Sequence, residues 1–106
     1  MVFIKVASKS EIEPGKGKRV EINGKRIAIL NHDGEFFAID DTCVHAGGSL
    51  GEGVCGSGIV ICPLHGWQYE LKTGKCTFDP DIILSTYDIM VDVEDILVNV
   101  GSKKED

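Results

Sequence analysis

The fold class this sequence predicts is all-β, a small antiparallel β-sandwich or partly open barrel, and three observations point to it. Short runs alternate apolar with polar residues, as in Val20-Glu21-Ile22 and Thr86 to Val93. Turn-forming pairs such as Asn23-Gly24 and Asp33-Gly34 separate those runs at short intervals. No stretch of useful length repeats its apolar residues at helical spacing, and there is no internal repeat.

Each element follows from its own residues. Val2, Ile4 and Val6 alternate with Phe3, Lys5 and Ala7, which predicts an opening strand. Ser8 to Gly17 reads as a loop with a turn at Pro14-Gly15. Val20 and Ile22 lead into Asn23-Gly24, a strong hairpin signal, and Arg26 to Leu30 is the return strand. A tight turn at His32-Asp33-Gly34 then precedes a strand from Glu35 to Asp40, which completes a three-strand meander. Asp41 to Gly58 differs in character, with Gly47, Gly48, Gly51, Gly53, Gly56 and Gly58 and few large apolar residues. It reads as one long loop, and such a loop inside a compact domain is usually functional. Its Gly51-Glu52-Gly53-Val54-Cys55-Gly56 matches G-x-G-x-x-G, but no βαβ unit surrounds it and a strand-like run follows, which argues against a nucleotide site. Ile59-Val60-Ile61 is a short buried strand and Trp67 to Leu71 another. Lys72 to Lys75 reads as a turn and Phe78 to Asp81 as a loop. Thr86 to Val93 places Tyr87, Ile89, Val91 and Val93 on one side, Glu94-Asp95 turns, and Ile96 to Val100 closes the last hairpin.

The chain has 106 residues, which predicts a single domain over 1–100 followed by a charged, frayed tail over 101–106. No run approaches ~18 apolar residues, and the opening Met1 to Val6 lacks the basic start of a signal peptide, so a cytoplasmic protein without a membrane span is expected. The net charge of -6 argues against nucleic acid, whose phosphates need a basic face. Of 11 Lys and Arg residues, Lys5, Lys9, Lys16, Lys18, Arg19, Lys25 and Arg26 come early, and none falls between Ile27 and Leu71. That acidic middle is either a solvated surface or a face that docks a basic partner.

Two of the 4 cysteines stand beside histidines, in Cys43-Val44-His45 and Cys62-Pro63-Leu64-His65. Cys55 and Cys76 remain as reduced thiols without an assigned role. Two sulfur and two nitrogen donors suit either a tetrahedral zinc or an iron–sulfur cluster. A zinc finger usually groups its cysteines on one knuckle and its histidines on a helix, whereas here each knuckle is mixed and no helix is available. Mixed knuckles suit two metals, each loop giving its Cys to one iron and its His to the other, as in a [2Fe–2S] centre with two His ligands. Gly47, Gly48 and Gly66 allow backbone N–H groups near the sulfurs, Pro63 stiffens its turn, and Leu64 and Trp67 suit a water-excluding cover.

Cys43-Val44-His45-Ala46-Gly47-Gly48-Ser49-Leu50 and Cys62-Pro63-Leu64-His65-Gly66-Trp67 resemble the two cluster loops of soluble Rieske-type ferredoxins. The resemblance covers nearly the whole chain, including Asp40-Asp41-Thr42 before the first loop and Leu71-Lys72-Thr73-Gly74 after the second. It implies one [2Fe–2S] cluster, with Cys43 and Cys62 on an inner iron and His45 and His65 on an outer iron near the surface. Phe78-Asp79-Pro80 resembles the third loop that covers the cluster. Respiratory members carry an extra Cys in each loop, joined as a disulfide, and Gly48 and Leu64 stand at those positions here. Trp67 replaces the Ser that hydrogen-bonds a sulfide there, while Tyr69 matches the hydrogen-bonding Tyr. With a donor lost, the expected potential lies low in the Rieske span of about −150 to +300 mV. Voltammetry giving a value near the upper end would contradict this.

The resemblance implies a one-electron carrier between a flavoprotein reductase and a terminal oxygenase or other redox enzyme, monomeric when free. A second reading is a small electron-relay subunit like those of assimilatory nitrite reductases. A third is a structural metal module that mediates contacts only. Catalysis by the chain itself is not expected, because a non-haem oxygenase needs a further iron on two His and a carboxylate. The sequence has 3 His, and a cluster of this type takes all but His32, which sits in a turn where solvent exposure explains it.

Overall fold

The computed structural model of the chain describes residues 3–43, 47–64 and 66–104. The strands are β1 (Phe3–Ser8), β2 (Gly17–Ile22), β3 (Lys25–His32), β4 (Glu35–Asp40), β5 (Val54–Gly56), β6 (Ile59–Ile61), β7 (Gln68–Glu70), β8 (Lys75–Cys76), β9 (Asp79–Ile83), β10 (Thr86–Asp92) and β11 (Asp95–Lys104). They form a 6-stranded sheet in the order β1-β11-β10-β4-β3-β2 and a 5-stranded sheet in the order β5-β6-β7-β8-β9. All described pairings are antiparallel, and the all-β expectation holds.

β3 and β4 are the wall shared by two cores. Ile27, Ala28, Ile29 and Leu30 are all fully buried, because successive side chains of a strand point to opposite faces and both faces of β3 are covered. Ile27 and Ile29 pack with Phe36, Ala38, Tyr87, Ile96 and Val98 inside the larger sheet. Ala28 and Leu30 pack the other way, with Leu50, Val60, Tyr69, Leu71 and both Cys43 and Cys62. The second core therefore lies between the two sheets, and the cysteines of interest are part of it.

The structure differs from the sequence expectation at several places. The long loop from Asp41 holds a 3₁₀ turn at Leu50–Glu52 and then strand β5, which pairs with β6 through Ser57-Gly58. Both turn residues have positive φ, 53° and 77°, the type that matches strand twist in a two-residue hairpin. The glycines in and around it hid this strand. Lys75 belongs to β8, and Asp79 to Asp81, expected as loop, opens the edge strand β9, where Pro80 lacks only a donor that an edge leaves unused. The last strand runs on through Lys104, whose backbone pairs with Thr86.

The β10–β11 turn falls on Val93-Glu94, one residue earlier than expected, since Asp92 pairs with Asp95. The register shifts between Tyr87 and Asp88; Tyr87 is buried and Ile89 packs against the same core, whereas Val91 and Val93, toward the turn, are exposed. Val93 has φ 57° and is 88% exposed, an unfavourable conformation for a β-branched residue with no packing to offset it. Glu94 fixes it there by accepting the Lys9 N–H on its carbonyl and the Ser10 N–H on its carboxylate, each at 2.8 Å. Val93→Asn is expected to stabilise the protein by about 1 kcal/mol, a rise of roughly 4–6 °C in unfolding temperature. Calorimetry of the pair checks it, and an unchanged or lower midpoint would show that the turn is unstrained.

Candidate metal centre

The two Cys-containing loops have the same backbone design. In the first, the Cys43 N–H donates to the Gly48 carbonyl at 2.9 Å and the Gly47 N–H donates to the Cys43 carbonyl at 2.8 Å. In the second, the Cys62 N–H donates to the Trp67 carbonyl at 2.8 Å and the Gly66 N–H to the Cys62 carbonyl at 3.1 Å. Each cysteine thus closes a loop through the residues four and five positions on. The residue at the fourth position is a glycine in both, with φ 73° at Gly47 and 77° at Gly66, where a side chain would be strained. The sequence aligns the two loops poorly, because His stands two positions after Cys43 and three after Cys62. His45 and His65 both fall within these necks and lie outside the described residues.

Different strands deliver the two necks to one place. β4 leads into the first through Asp40, Asp41 and Thr42, and β6 leads directly into the second. A Cβ placed on Gly48 would sit 2.9 Å from Cys62 Sγ and 3.0 Å from Leu64 Cγ, so the loops pack against each other through a space that only glycine leaves. This is a tighter reason for Gly48 than the backbone freedom expected from the sequence. It also makes positions 48 and 64 neighbours, as a disulfide at the corresponding sites would need. Cys43 and Cys62 are each 1% exposed, and none of the four cysteines forms a disulfide.

In the sequence Asp41 is one acidic residue at the start of the long loop, yet it is the fastening of the first cysteine loop. It is 1% exposed, and its Oδ1 accepts the Ser49 hydroxyl and the Gly51 N–H, both at 2.8 Å. Its own carbonyl accepts the Leu50 N–H at 2.8 Å, and its N–H donates to the Arg26 carbonyl at 3.1 Å. A bridge between Thr42 and Ser49 completes the base. Next to it, Asp40 holds the start of β10, accepting the Tyr87 hydroxyl at 2.7 Å and the Ser85 N–H at 3.0 Å. Burial first, and then the Asp40 carboxylate, push the Tyr87 hydroxyl well above the usual tyrosine range.

Tyr69 is fully buried, and its hydroxyl hydrogen-bonds Cys43 Sγ at 3.2 Å. The Trp67 and Phe78 rings meet edge to face, with centroids 4.6 Å apart. This brings the Phe78-Asp79-Pro80 stretch beside the second loop, as the sequence resemblance implied. Phe78 (60%) and Leu64 (56%) are largely exposed, which gives that end of the molecule an apolar rim. Cys76 packs in the core opposite Tyr69, and Cys55 donates to the Asn31 carbonyl at 3.2 Å. Burial, and then Asp33, raise the Cys55 thiol pKa, so its surroundings do not activate it.

The donor set suits an iron–sulfur centre. Two thiols from separate loops enter one water-poor space, and a hydroxyl is already directed at one of them. The Rieske [2Fe-2S] domain family matches residues 2–88. The chain belongs to that family. Its cofactor is one [2Fe–2S] cluster. As a member of the family it is similar to the biphenyl dioxygenase ferredoxin subunit of Pseudomonas sp. (strain KKS102), 39% identical over 93% of each chain. It also matches a chain in the complex of reduced oxygenase and oxidised ferredoxin of carbazole 1,9a-dioxygenase, with TM-score 0.84 and 30% identity over 99% of this chain and 98% of that one. A nitrite reductase small subunit from Mycobacterium tuberculosis has TM-score 0.84 at 23% identity, covering 92% of this chain and 93% of that one, and shares the fold.

Within this Rieske fold the Tyr69 hydroxyl has a defined expected effect. A hydrogen bond to a ligand sulfur is strengthened when an electron adds negative charge, so it favours the reduced state. Tyr69→Phe removes that bond without changing the ring. The reduction potential is expected to fall by roughly 50 mV, the one-electron equivalent of about 1 kcal/mol. Spectroelectrochemical titration of both proteins checks this, and an unchanged potential would mean that the hydroxyl does not act on the cluster.

Proposed function

We propose that the chain is a one-electron carrier that accepts from a flavoprotein reductase and delivers to a terminal oxygenase or a similar redox enzyme. The observation that supports this most is the pair of matched Cys necks meeting in a buried space, beside an exposed apolar rim. We propose Cys43 and Cys62 as ligands of the inner iron and His45 and His65 as ligands of the outer one. When bound, the cluster takes up and releases a single electron, with imidazoles making reduction easier than four thiolates do. The chain's own residues then hold and shield it. Asp41 fixes the first loop, Gly48 lets the second approach, Tyr69 donates to the Cys43 sulfur, and Trp67 with Phe78 keeps water from the thiolate side.

Leu64 and Phe78 fit the contact face, since apolar groups at a rim make a brief, dry encounter with a partner favourable. Sequence likeness runs to dioxygenase ferredoxins, which favours a free, monomeric carrier over a relay subunit bound in a nitrite-reductase-like complex. Among the described residues no helix is long and apolar enough to cross a membrane. We also propose a cytoplasmic location, supported by Cys55 and Cys76, which stand as thiols outside the cluster loops.

EPR of the dithionite-reduced protein tests the ligand set. Mixed His/Cys ligation gives an average g distinct from that of an all-thiolate [2Fe–2S] centre, and His65→Cys is expected to move the signal toward the latter or abolish assembly. An unchanged spectrum in that variant would remove His65 from the ligands. Purification from native extract separates the two functional readings: a coloured monomer supports the carrier, and stable co-elution with a large reductase subunit overturns it.

A further inference from the structure

His32, expected to be a solvent-exposed turn residue, makes a specific contact. It ends β3, and its Nε2 accepts the backbone N–H of Gly58 at 3.0 Å. A ring nitrogen that accepts carries no proton, so the imidazole is neutral with its hydrogen on Nδ1. Gly58 is the second residue of the turn joining β5 to β6, and β6 leads straight into Cys62. The bond therefore ties the 6-stranded sheet to the tip of the hairpin that carries the second cluster loop.

We propose that His32 is a pH-sensitive latch between the two sheets, fastened when the ring is neutral and released when it is protonated. Protonation places a hydrogen on both nitrogens, which removes the acceptor and sets two N–H groups against each other. The charged neighbours give the imidazolium a place to turn. Glu35 stands opposite His32 in the β3–β4 ladder, and Glu70 and Lys72 line the same cavity of about 470 Å³. Asp33 adjoins it in the turn. Across the sheet junction, Lys16 meets Asn31 through its backbone, and the Cys55 thiol is neutral. The ring swings from Gly58 toward the carboxylates of Glu35 and Glu70.

The release is local. The Leu71 N–H still donates to the Gly58 carbonyl at 2.9 Å, and the Cys55 N–H still donates to the Gly15 carbonyl at 3.0 Å. The hairpin stays attached through these two bonds while its tip loses one anchor. The sign follows directly: the latch is closed while the ring is neutral, and it opens as falling pH protonates it.

Nitrogen-15 NMR of the oxidised holoprotein tests the latch. At pH 8 the His32 ring is expected to show an unprotonated Nε2. Between pH 8 and 5.5 the Gly58 amide shift should follow the His32 ring with the same midpoint. Its exchange protection, corrected for intrinsic pH dependence, should fall on the order of tenfold. His32→Gln supplies an amide oxygen that accepts without titrating, and is expected to keep Gly58 protected at both ends of the range. A proton on Nε2 at pH 8, a Gly58 amide that ignores the His32 titration, or a His32→Gln protein with the wild-type pH dependence would each overturn the proposal.

Discussion

The Cys62→Ala protein is expected to purify colourless, with iron content falling from two atoms per chain to near zero. Cys62 is buried against the first loop and closes its own loop, which puts its sulfur where the second loop must supply a ligand. The loss reaches stability as well, because a site that forms only in the folded state adds its binding free energy to folding. Cys76→Ala is the informative control. Cys76 is a buried thiol of the same core, but it lies on β8 and belongs to neither loop. That variant is expected to keep its cluster spectrum and lose about 1 kcal/mol, the value of one buried methylene-sized group. Iron and sulfide analysis with visible absorption decides it. A coloured Cys62→Ala protein with full iron would remove Cys62 from the ligand set.

Asp41→Ala carries the second large effect. It takes away the acceptor of the Ser49 hydroxyl and, more seriously, of the buried Gly51 N–H. An unpaired buried donor costs about 1–3 kcal/mol, and the hydroxyl loses its partner too, so a total near ~3 kcal/mol is expected. Asp41→Asn keeps one oxygen that accepts and should cost about 1 kcal/mol. Denaturant midpoints measure both. The loop position adds a second readout, because the first Cys neck starts two residues later. The Ala variant should lose its visible absorption faster than the Asn variant in the presence of an iron chelator. Equal stabilities of wild type and Asp41→Ala would show that Asp41 is not the fastening.

Much of this protein was legible from local chemistry. Alternation gave β1 to β4, and Asn23-Gly24 placed the first hairpin, because both signals depend only on residues within a few positions. The Cys/His spacing pointed to the cofactor for a similar reason: metal ligands must be soft or imidazole donors, and few other residues serve. The misses share a cause as well. β5 and β9 are short and at sheet edges, so their pairing comes from a neighbour rather than from their own pattern. Val93 reads as one more core position of β10, but Asp92 pairs with Asp95, which puts Val93 in the turn and in solvent. His32 reads as a bare turn residue, and only the arrival of Gly58 from 26 positions away makes it an acceptor.

By itself the sequence determined the all-β class, the two Cys/His loops and the family chemistry they imply, since each rests on residue type and short spacing. Tertiary structure alone decided that the two loops share one backbone design, that Gly48 leaves room for Cys62 Sγ, and that Asp41 and Tyr69 serve the same buried space. Those facts depend on which strands lie side by side. A chain read in one dimension carries the donors and acceptors, but the partner of a buried polar group is chosen by packing.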